Sequence, residues 1–411
     1  MSGFPKAQHL PADSRRGWLI AGALSITVTV AYGVLQYAFG VLLPFMHRDL
    51  GWSRTELTGA FSVALLTSAV AGLAVGRILD RHSPRLLMTA GGAAAALLVV
   101  AWSRVHTVAE LYLAFIGLGL TMATLLYEPV FTVVTKWFSA KRQAALTAVT
   151  VVGATASLIF SPLTERLQAS IGWRDALLVL AAILGAVAVP LHALVLRPAP
   201  GDAATAPRDQ ARALYRSVGS LTFWLLAGAF TLGSFSTYAI VVHLVSLLIH
   251  SGSDVAFAAF VAGLLGIAQL PGRLVFGLVA RFLGEAALPV AVFGLGAAAL
   301  VLLARERSDW AVIAFAIAFG ASNGMSTLLR ATLVADLWGR ARYGSVLAAV
   351  SAPYNLARAA APVGASLLVA LGGYTTLLWI LAAGTATAAV AGRLAVERAG
   401  RCVGSSSHEV I

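Results

Sequence analysis

The 411-residue chain is 59% hydrophobic and only 11% charged, with a mean hydropathy of +0.86. A soluble protein must cover its surface with polar groups, which this composition cannot do, so a large soluble helical protein is excluded and the chain reads as a membrane protein. The formal net charge of +12 would suggest nucleic acid in a soluble protein; here the charge is read as a topology signal, and no nucleic-acid partner is needed.

Lys6, Arg15 and Arg16 precede an apolar run too long for a signal peptide, which reads as an uncleaved first span. Runs long enough to cross a bilayer, about 20 residues at 1.5 Å rise each, fall at 17–45, 55–79, 86–104, 108–135, 143–167 and 175–196. A second set falls at 220–249, 255–280, 287–304, 309–335, 343–370 and 374–394. The expected fold is therefore all-α and polytopic, with twelve transmembrane helices in two pseudo-symmetric six-helix bundles. The bundles take residues 1–196 and 220–396, joined by a cytoplasmic linker at 197–219 that carries Pro198, Pro200, Gly201 and Pro207, with a cytoplasmic tail at 397–411. Cys402 in that tail is the only cysteine, which excludes a disulfide within the chain.

The two halves repeat at a constant offset of 201 residues: Gly51 falls on Gly252, Gly76 on Gly277, Trp137 on Trp338 and Gly172 on Gly373. Each pair sits at the same place relative to its neighbouring spans. A duplicated bundle of this kind is the architecture of an alternating-access carrier.

Lys and Arg counted by side give 19 on the side of the N-terminus and seven on the other. The positive-inside rule then places both termini in the cytoplasm. Arg supplies 26 of the 29 basic residues, beside many Ala and Gly. This composition suits a GC-rich bacterial genome, and hence the bacterial cytoplasmic (inner) membrane.

Ionisable groups at bilayer depth are costly and normally face a cavity and a partner. Four stand out: Glu128 in span 4, Arg273 in span 8, Arg330 in span 10 and Arg358 in span 11. Glu128 corresponds through the repeat to Leu329, so Glu128 and Arg330 lie at nearly equal depth, about 12 Å from the cytoplasmic end. They read either as an ion pair that staples the halves in one state or as a pair that substrate or proton binding breaks. Three arginines against one glutamate favour an anionic substrate, and guanidinium forks suit carboxylates. Tyr32, Gln36 and Tyr37 in span 1 and Tyr238 in span 7 are expected to line the path, or else to pack. Asn323 and Asn355 are expected to bond substrate or a neighbouring helix. His243, near the outer end of span 7, is either a proton sensor or a structural histidine.

The loop after span 2 reads Gly76-Arg-Ile-Leu-Asp80-Arg81-His-Ser-Pro-Arg85. It resembles the G-x-x-x-D-R-x-G-R/K-R/K signature of the major facilitator superfamily, with Ser83 and Pro84 where that family has Gly and a basic residue. The resemblance covers the whole chain and implies a cytoplasmic gate of Gly76, Asp80, Arg81 and Arg85, in which Asp80 pairs with arginines. A narrower resemblance is to the monocarboxylate-porter and oxalate/formate-exchanger branch. It rests on Tyr37 to Pro44 followed by Gly51-Trp-Ser-Arg-Thr-Glu56, on Lys136-Trp137-Phe138 with Gly172-Trp173-Arg174, and on Gly272-Arg273-Leu-Val-Phe-Gly277. That branch implies a carboxylate-binding role for Arg273 and a second cation at Arg358. Its proton-coupling Asp, four residues before the arginine, is Gln269 here.

The expected function is thus a secondary carrier of a small organic anion, a carboxylate above all, acting as a monomer in the lipid bilayer with proton or counter-anion coupling. The alternative is a proton-coupled exporter of a hydrophobic drug or natural product that uses Glu128. A transporter-like receptor without flux is a third reading, and it lacks a signalling domain. No nucleophile–base constellation, phosphate loop or metal-ligand cluster is present, so no enzyme activity, cofactor or metal is expected.

Overall fold

The computed structural model describes residues 14–199, 215 and 217–406, with side chains as far as Arg401. The expectations placed on Lys6 and most of the linker lie outside these residues, as does the side chain of Cys402. Every regular element among the described residues is helical. Ten helical stretches are long and apolar enough to cross a membrane. Two of them, Arg142–Val195 and Tyr343–Arg401, run 54 and 59 residues, more than twice the ~20 that a bilayer needs.

The long stretches are each two spans joined at a glycine. Gly172 (φ +80°) and Gly373 (φ +75°) break their helices with left-handed backbone, a conformation that L side chains avoid. Counting both breaks, the ten stretches make twelve spans. Gly51 and Gly252 close the first span of each half in the same left-handed region, with φ +69° and +93°. Glycine therefore recurs at the 201-residue offset because the same turns recur.

Two compact units emerge: residues 1–211 with 339–348, and residues 212–338 with 349–411. In the first unit the elements are α1 Arg15–Tyr32, a π-helical turn Gly33–Tyr37, α2 Ala38–Leu50, α3 Arg54–Arg81, α4 Pro84–Ser103, α5 Val108–Leu125, α6 Tyr127–Trp137, α7 Arg142–Ala154 and α8 Ala156–Val195. Capping boxes open α3 (Ser53 with Glu56) and α5 (Thr107 with Glu110), satisfying amides that a helix start leaves orphaned. Spans 1 and 4 are not the continuous helices that the apolar runs suggest. Span 1 loosens into the π turn, and span 4 breaks at Leu126 (φ −83°, ψ −162°). Pro129 accounts for the second break: it has no N–H to give the Leu125 carbonyl, and its ring would strike that group.

The second unit holds α9 Leu221–His250, α10 Val255–Phe282, α11 Ala287–Arg305, α12 Asp309–Trp338 and α13 Tyr343–Ser406, whose first residues, to Ala348, belong to the first unit. The repeat extends to packing. A Cβ on Gly119 would strike the carbonyl oxygen of Ala64, and one on Gly320 that of Leu265; both residues of the two pairs are 201 apart. Spans 2 and 4, and likewise spans 8 and 10, thus approach backbone to backbone, as small residues allow in lipid.

Each unit also ties the same three connections at one end. Trp173 Nε1 donates to Asp49 Oδ2 at 3.0 Å, and Arg174 donates to the carbonyls of Ser103 (2.8 Å) and Val105 (3.1 Å). In the second unit Arg307 donates to Ser251 Oγ (2.6 Å) and Thr375 Oγ1 (2.9 Å). There the rings of His250 and Tyr374, the counterparts of Asp49 and Trp173, lie 5.4 Å apart. Two of the stretches that carry the branch resemblance, Gly51 to Glu56 and Gly172 to Arg174, are thus turns, caps and staples.

Candidate functional site

In the first unit Asp80, expected from the signature to belong to a gate, is buried near the end of α3. Its carboxylate accepts from the backbone N–H of Gly344 (2.9 Å) and Ser345 (2.7 Å) and from the Ser345 hydroxyl (2.5 Å). Gly344 and Ser345 are the second and third residues of α13. Asp80 therefore caps that helix as an N-cap side chain would, placing its charge at the positive end of the dipole. The sequence reading expected arginine partners, but backbone amides take that role. They win because a helix start offers orphaned donors that need no side-chain ordering. Gly76, one turn earlier, has its Cα against Gly344, and a side chain there would strike the Gly344 carbonyl and Ala348 Cβ. Arg81 is half-buried and Arg85 exposed.

The neighbouring Lys136-Trp137-Phe138 stretch closes helix ends. Lys136 Nζ donates to the Leu79 carbonyl at 2.8 Å, and Arg340 Nε to the Thr135 carbonyl at 3.0 Å. Cations at helix C-termini complement the negative end of the dipole. Trp137 Nε1 donates to the Arg197 carbonyl at 3.3 Å, and Phe138 packs edge-on to Trp18 at 5.0 Å.

Glu128 is half-buried in the first turn of α6, directly after the break. Gln36 and Tyr37 lie in the π turn and Tyr32 immediately precedes it; such turns often mark functional positions. The Tyr32 ring rests 4.8 Å from that of Tyr127, next to Glu128. His192, in the sixth span, faces inward: Nδ1 bonds the Met88 carbonyl (3.1 Å) and Nε2 the Thr27 hydroxyl (3.0 Å).

The second unit holds all three intramembrane arginines. Arg273 is buried in α10 and reaches back one turn to Gln269 Oε1 at 3.5 Å. Arg330 is buried in α12, donating to Ser351 Oγ at 2.9 Å, with its guanidinium 4.1 Å from the Tyr354 ring centroid. Arg358 in α13 lies 4.5 Å from the Tyr238 ring centroid. Two guanidiniums thus rest on aromatic faces, which hold a cation without neutralising it. Ser234 Oγ donates to the Tyr354 carbonyl at 3.0 Å, so α9 and α13 are joined at both tyrosines.

Asn323 lines a small cavity inside this unit with Ser236, Thr237, Ser322, Ser326 and Thr385, and Asn355 is half-buried on α13. The sequence reading missed Ser351, Tyr354, Gly344 and Ser345. Tyr354 carried a signal, lying four residues before Arg358 and next to Asn355.

Duplicated six-span bundles with guanidiniums held at bilayer depth define a polytopic membrane transporter. The family model described as Major Facilitator Superfamily matches residues 25–305, more than half of the chain, and the chain belongs to the major facilitator superfamily. It is similar to human monocarboxylate transporter 11, 28% identical over 76% of this chain and 69% of the relative. It is also similar to rat (Rattus norvegicus) monocarboxylate transporter 3, 27% identical over 92% of this chain and 79% of the relative. Among solved structures it resembles FucP, the E. coli fucose:proton symporter, in the outward conformation. That likeness has a TM-score of 0.76 at 13% identity, over 93% of this chain and 99% of the other, and shows the fold. These relatives are transporters, not enzymes, and the chain resembles their monocarboxylate branch.

Proposed function

We propose that this transporter is a secondary carrier that moves a small organic anion, a carboxylate above all, across the bacterial cytoplasmic membrane by alternating access. It acts as a monomer with both termini in the cytoplasm. Residues 1–196 and 220–396 form the two bundles, 197–219 the cytoplasmic linker and 397–411 the cytoplasmic tail. One observation carries the reading. In the second unit the span interiors hold Arg273, Arg330 and Arg358, while its described acids, Asp254, Glu285, Glu306, Asp309, Asp336 and Glu397, lie at span ends or beyond. Planar guanidinium forks in span interiors suit the two oxygens of a carboxylate. The monocarboxylate names of the relatives point the same way.

Arg273 and Arg358 are the carboxylate-binding forks, and Tyr238, Asn323 and Asn355 of the second unit and Tyr32, Gln36 and Tyr37 of the first are the further substrate-binding residues. Glu128 and Arg330 are the coupling residues, and Gly76, Asp80, Arg81 and Arg85 form the gate. The test is counterflow of a labelled short-chain carboxylate into preloaded proteoliposomes. Free acids should compete, and amides of the same skeleton should not. Competition confined to hydrophobic cations would instead favour an exporter that protonates Glu128.

A further inference from the structure

The repeat that builds the two bundles is broken at one cavity. Inside the second unit Ser236 and Thr237 on α9, Ser322, Asn323 and Ser326 on α12 and Thr385 on α13 line a small cavity. Their counterparts 201 residues earlier are Leu35, Gln36, Thr121, Met122, Leu125 and Leu184. Of these Leu35, Met122, Leu125 and Leu184 are buried in the apolar core of the first unit. The same packing positions therefore work with hydrocarbon, and the polar groups of the second unit are not what a bundle needs to pack. Thr237 and Asn323 lie near the middle of 30-residue helices, at a depth where an unsatisfied polar group is costly.

The hydrogens of the buried hydroxyls are already committed. Ser322 Oγ donates to the Val292 carbonyl at 2.7 Å, and Thr385 Oγ1 donates to the Leu381 carbonyl at 2.8 Å. Ser236 Oγ reaches the same Leu381 carbonyl at 3.4 Å and lies 3.0 Å from Thr385 Oγ1. A hydroxyl has one hydrogen and two lone pairs, so these oxygens keep lone pairs for an occupant. The Thr237 and Ser326 hydroxyls and the Asn323 amide are half-buried and form no hydrogen bond with another described residue. No ionisable side chain lines the cavity, which has room for about one water-sized sphere. Ca2+ and Mg2+ sites draw on carboxylates; neutral oxygens converging from several helices near the bilayer midplane suit a single monovalent cation. The cavity also adjoins the anion site. A side chain on Gly324, next to Asn323, would strike the Gln269 carbonyl, and one on Gly272 the Ala321 carbonyl. The α12 turn that lines the cavity thus packs on the α10 turn in which Arg273 reaches Gln269.

We propose that this cavity binds a dehydrated alkali cation and that its occupation strengthens anion binding at Arg273. The coupling rests on the organic-anion reading above; the cation site does not. A cation held by Ser236, Ser322, Asn323 and Thr385 fixes the α12 turn on which the Arg273 turn packs. The bound anion, by reciprocity, strengthens cation binding, and the expected coupling is about tenfold.

The experiment uses the full chain purified in choline chloride, with NaCl or KCl replacing choline at constant ionic strength. The melting temperature of the wild type should rise saturably with Na+ or K+, because a ligand of the folded state stabilises it. No rise with either salt would show that the cavity holds water only and would overturn the proposal. Thr385→Val keeps the shape but removes one oxygen, and Ser326→Leu installs the residue of the first unit. Asn323 stays intact in both because it also stands among the substrate-binding residues. Both variants should melt near the wild type in choline and need about tenfold more cation for the same rise; an undiminished response in both would overturn the placement. In proteoliposomes, counterflow of a labelled short-chain carboxylate, supplied as its choline salt, should half-saturate at about tenfold lower concentration with the alkali cation than with choline. The variants should retain counterflow at the choline value in every salt. Wild-type counterflow indifferent to the cation would overturn the coupling. Absence of carboxylate counterflow in every salt, with the saturable rise in melting temperature intact, would instead remove the organic-anion reading and leave the cation site standing.

Discussion

Uptake of a carboxylate by the Arg273→Ala variant in proteoliposomes should fall by about two orders of magnitude or more, with protein yield and melting behaviour near those of the wild type. The magnitude follows from removing a charge-assisted, bidentate fork, worth about 3 kcal/mol at the upper end of such bonds, with each 1.4 kcal/mol a factor of ten. Arg273→Lys keeps the charge but loses the planar fork and should recover only part of the activity. A weakened KM with little change in maximal rate would place Arg273 in ground-state binding; a loss in both would place it in the moving state as well. Unimpaired uptake by Arg273→Ala would refute its role. The position explains the expected size: the guanidinium is buried on α10, and its neighbour on the same face is the uncharged Gln269.

Removal of the Asp80 carboxylate is the second large effect. Asp80→Ala leaves the amides of Gly344 and Ser345 and the Ser345 hydroxyl without their acceptor, at about 1–3 kcal/mol for each group that stays buried. Asp80→Asn keeps one acceptor oxygen but turns an NH2 toward donors, and should be intermediate. A cysteine replacing buried Val346 in a Cys402→Ser background reads the start of α13 directly. Its labelling by a soluble maleimide should quicken at least tenfold in Asp80→Ala, with uptake reduced in parallel. Unchanged labelling and unchanged uptake together would show that the cap has no gating role.

Much of the architecture was legible because the bilayer imposes a length on every span and the 201-residue repeat imposes a period on the turns. Gly172 and Gly373 were visible as a repeated pair before their left-handed backbone gave the reason. The intramembrane arginines were equally plain, since a charge in an apolar run contrasts with its surroundings. Partners were not legible. Asp80 finds its donors 264 and 265 positions along the chain, and nothing local in the signature says whether a helix start or a guanidinium will answer it. Likewise the ring beneath Arg330 is Tyr354, brought there by the packing of α13 rather than by sequence spacing. The π turn at Gly33–Tyr37 and the break at Leu126 were hidden because hydropathy is blind to backbone hydrogen bonding. Pro129 marked the second break, but an isolated proline in a span signals only that a bend is possible.

The central claim is that the second unit's arginines form a site for an organic anion. A thermal-shift comparison of the purified wild-type protein tests it most directly, because a ligand that binds the folded state stabilises it by mass action, by about 2.7 kcal/mol at a hundred times its Kd. Short-chain carboxylates should raise the melting temperature in a dose-dependent way, while the amides of the same skeletons and hydrophobic cations leave it unchanged. Stabilisation by uncharged or cationic compounds alone would contradict the account.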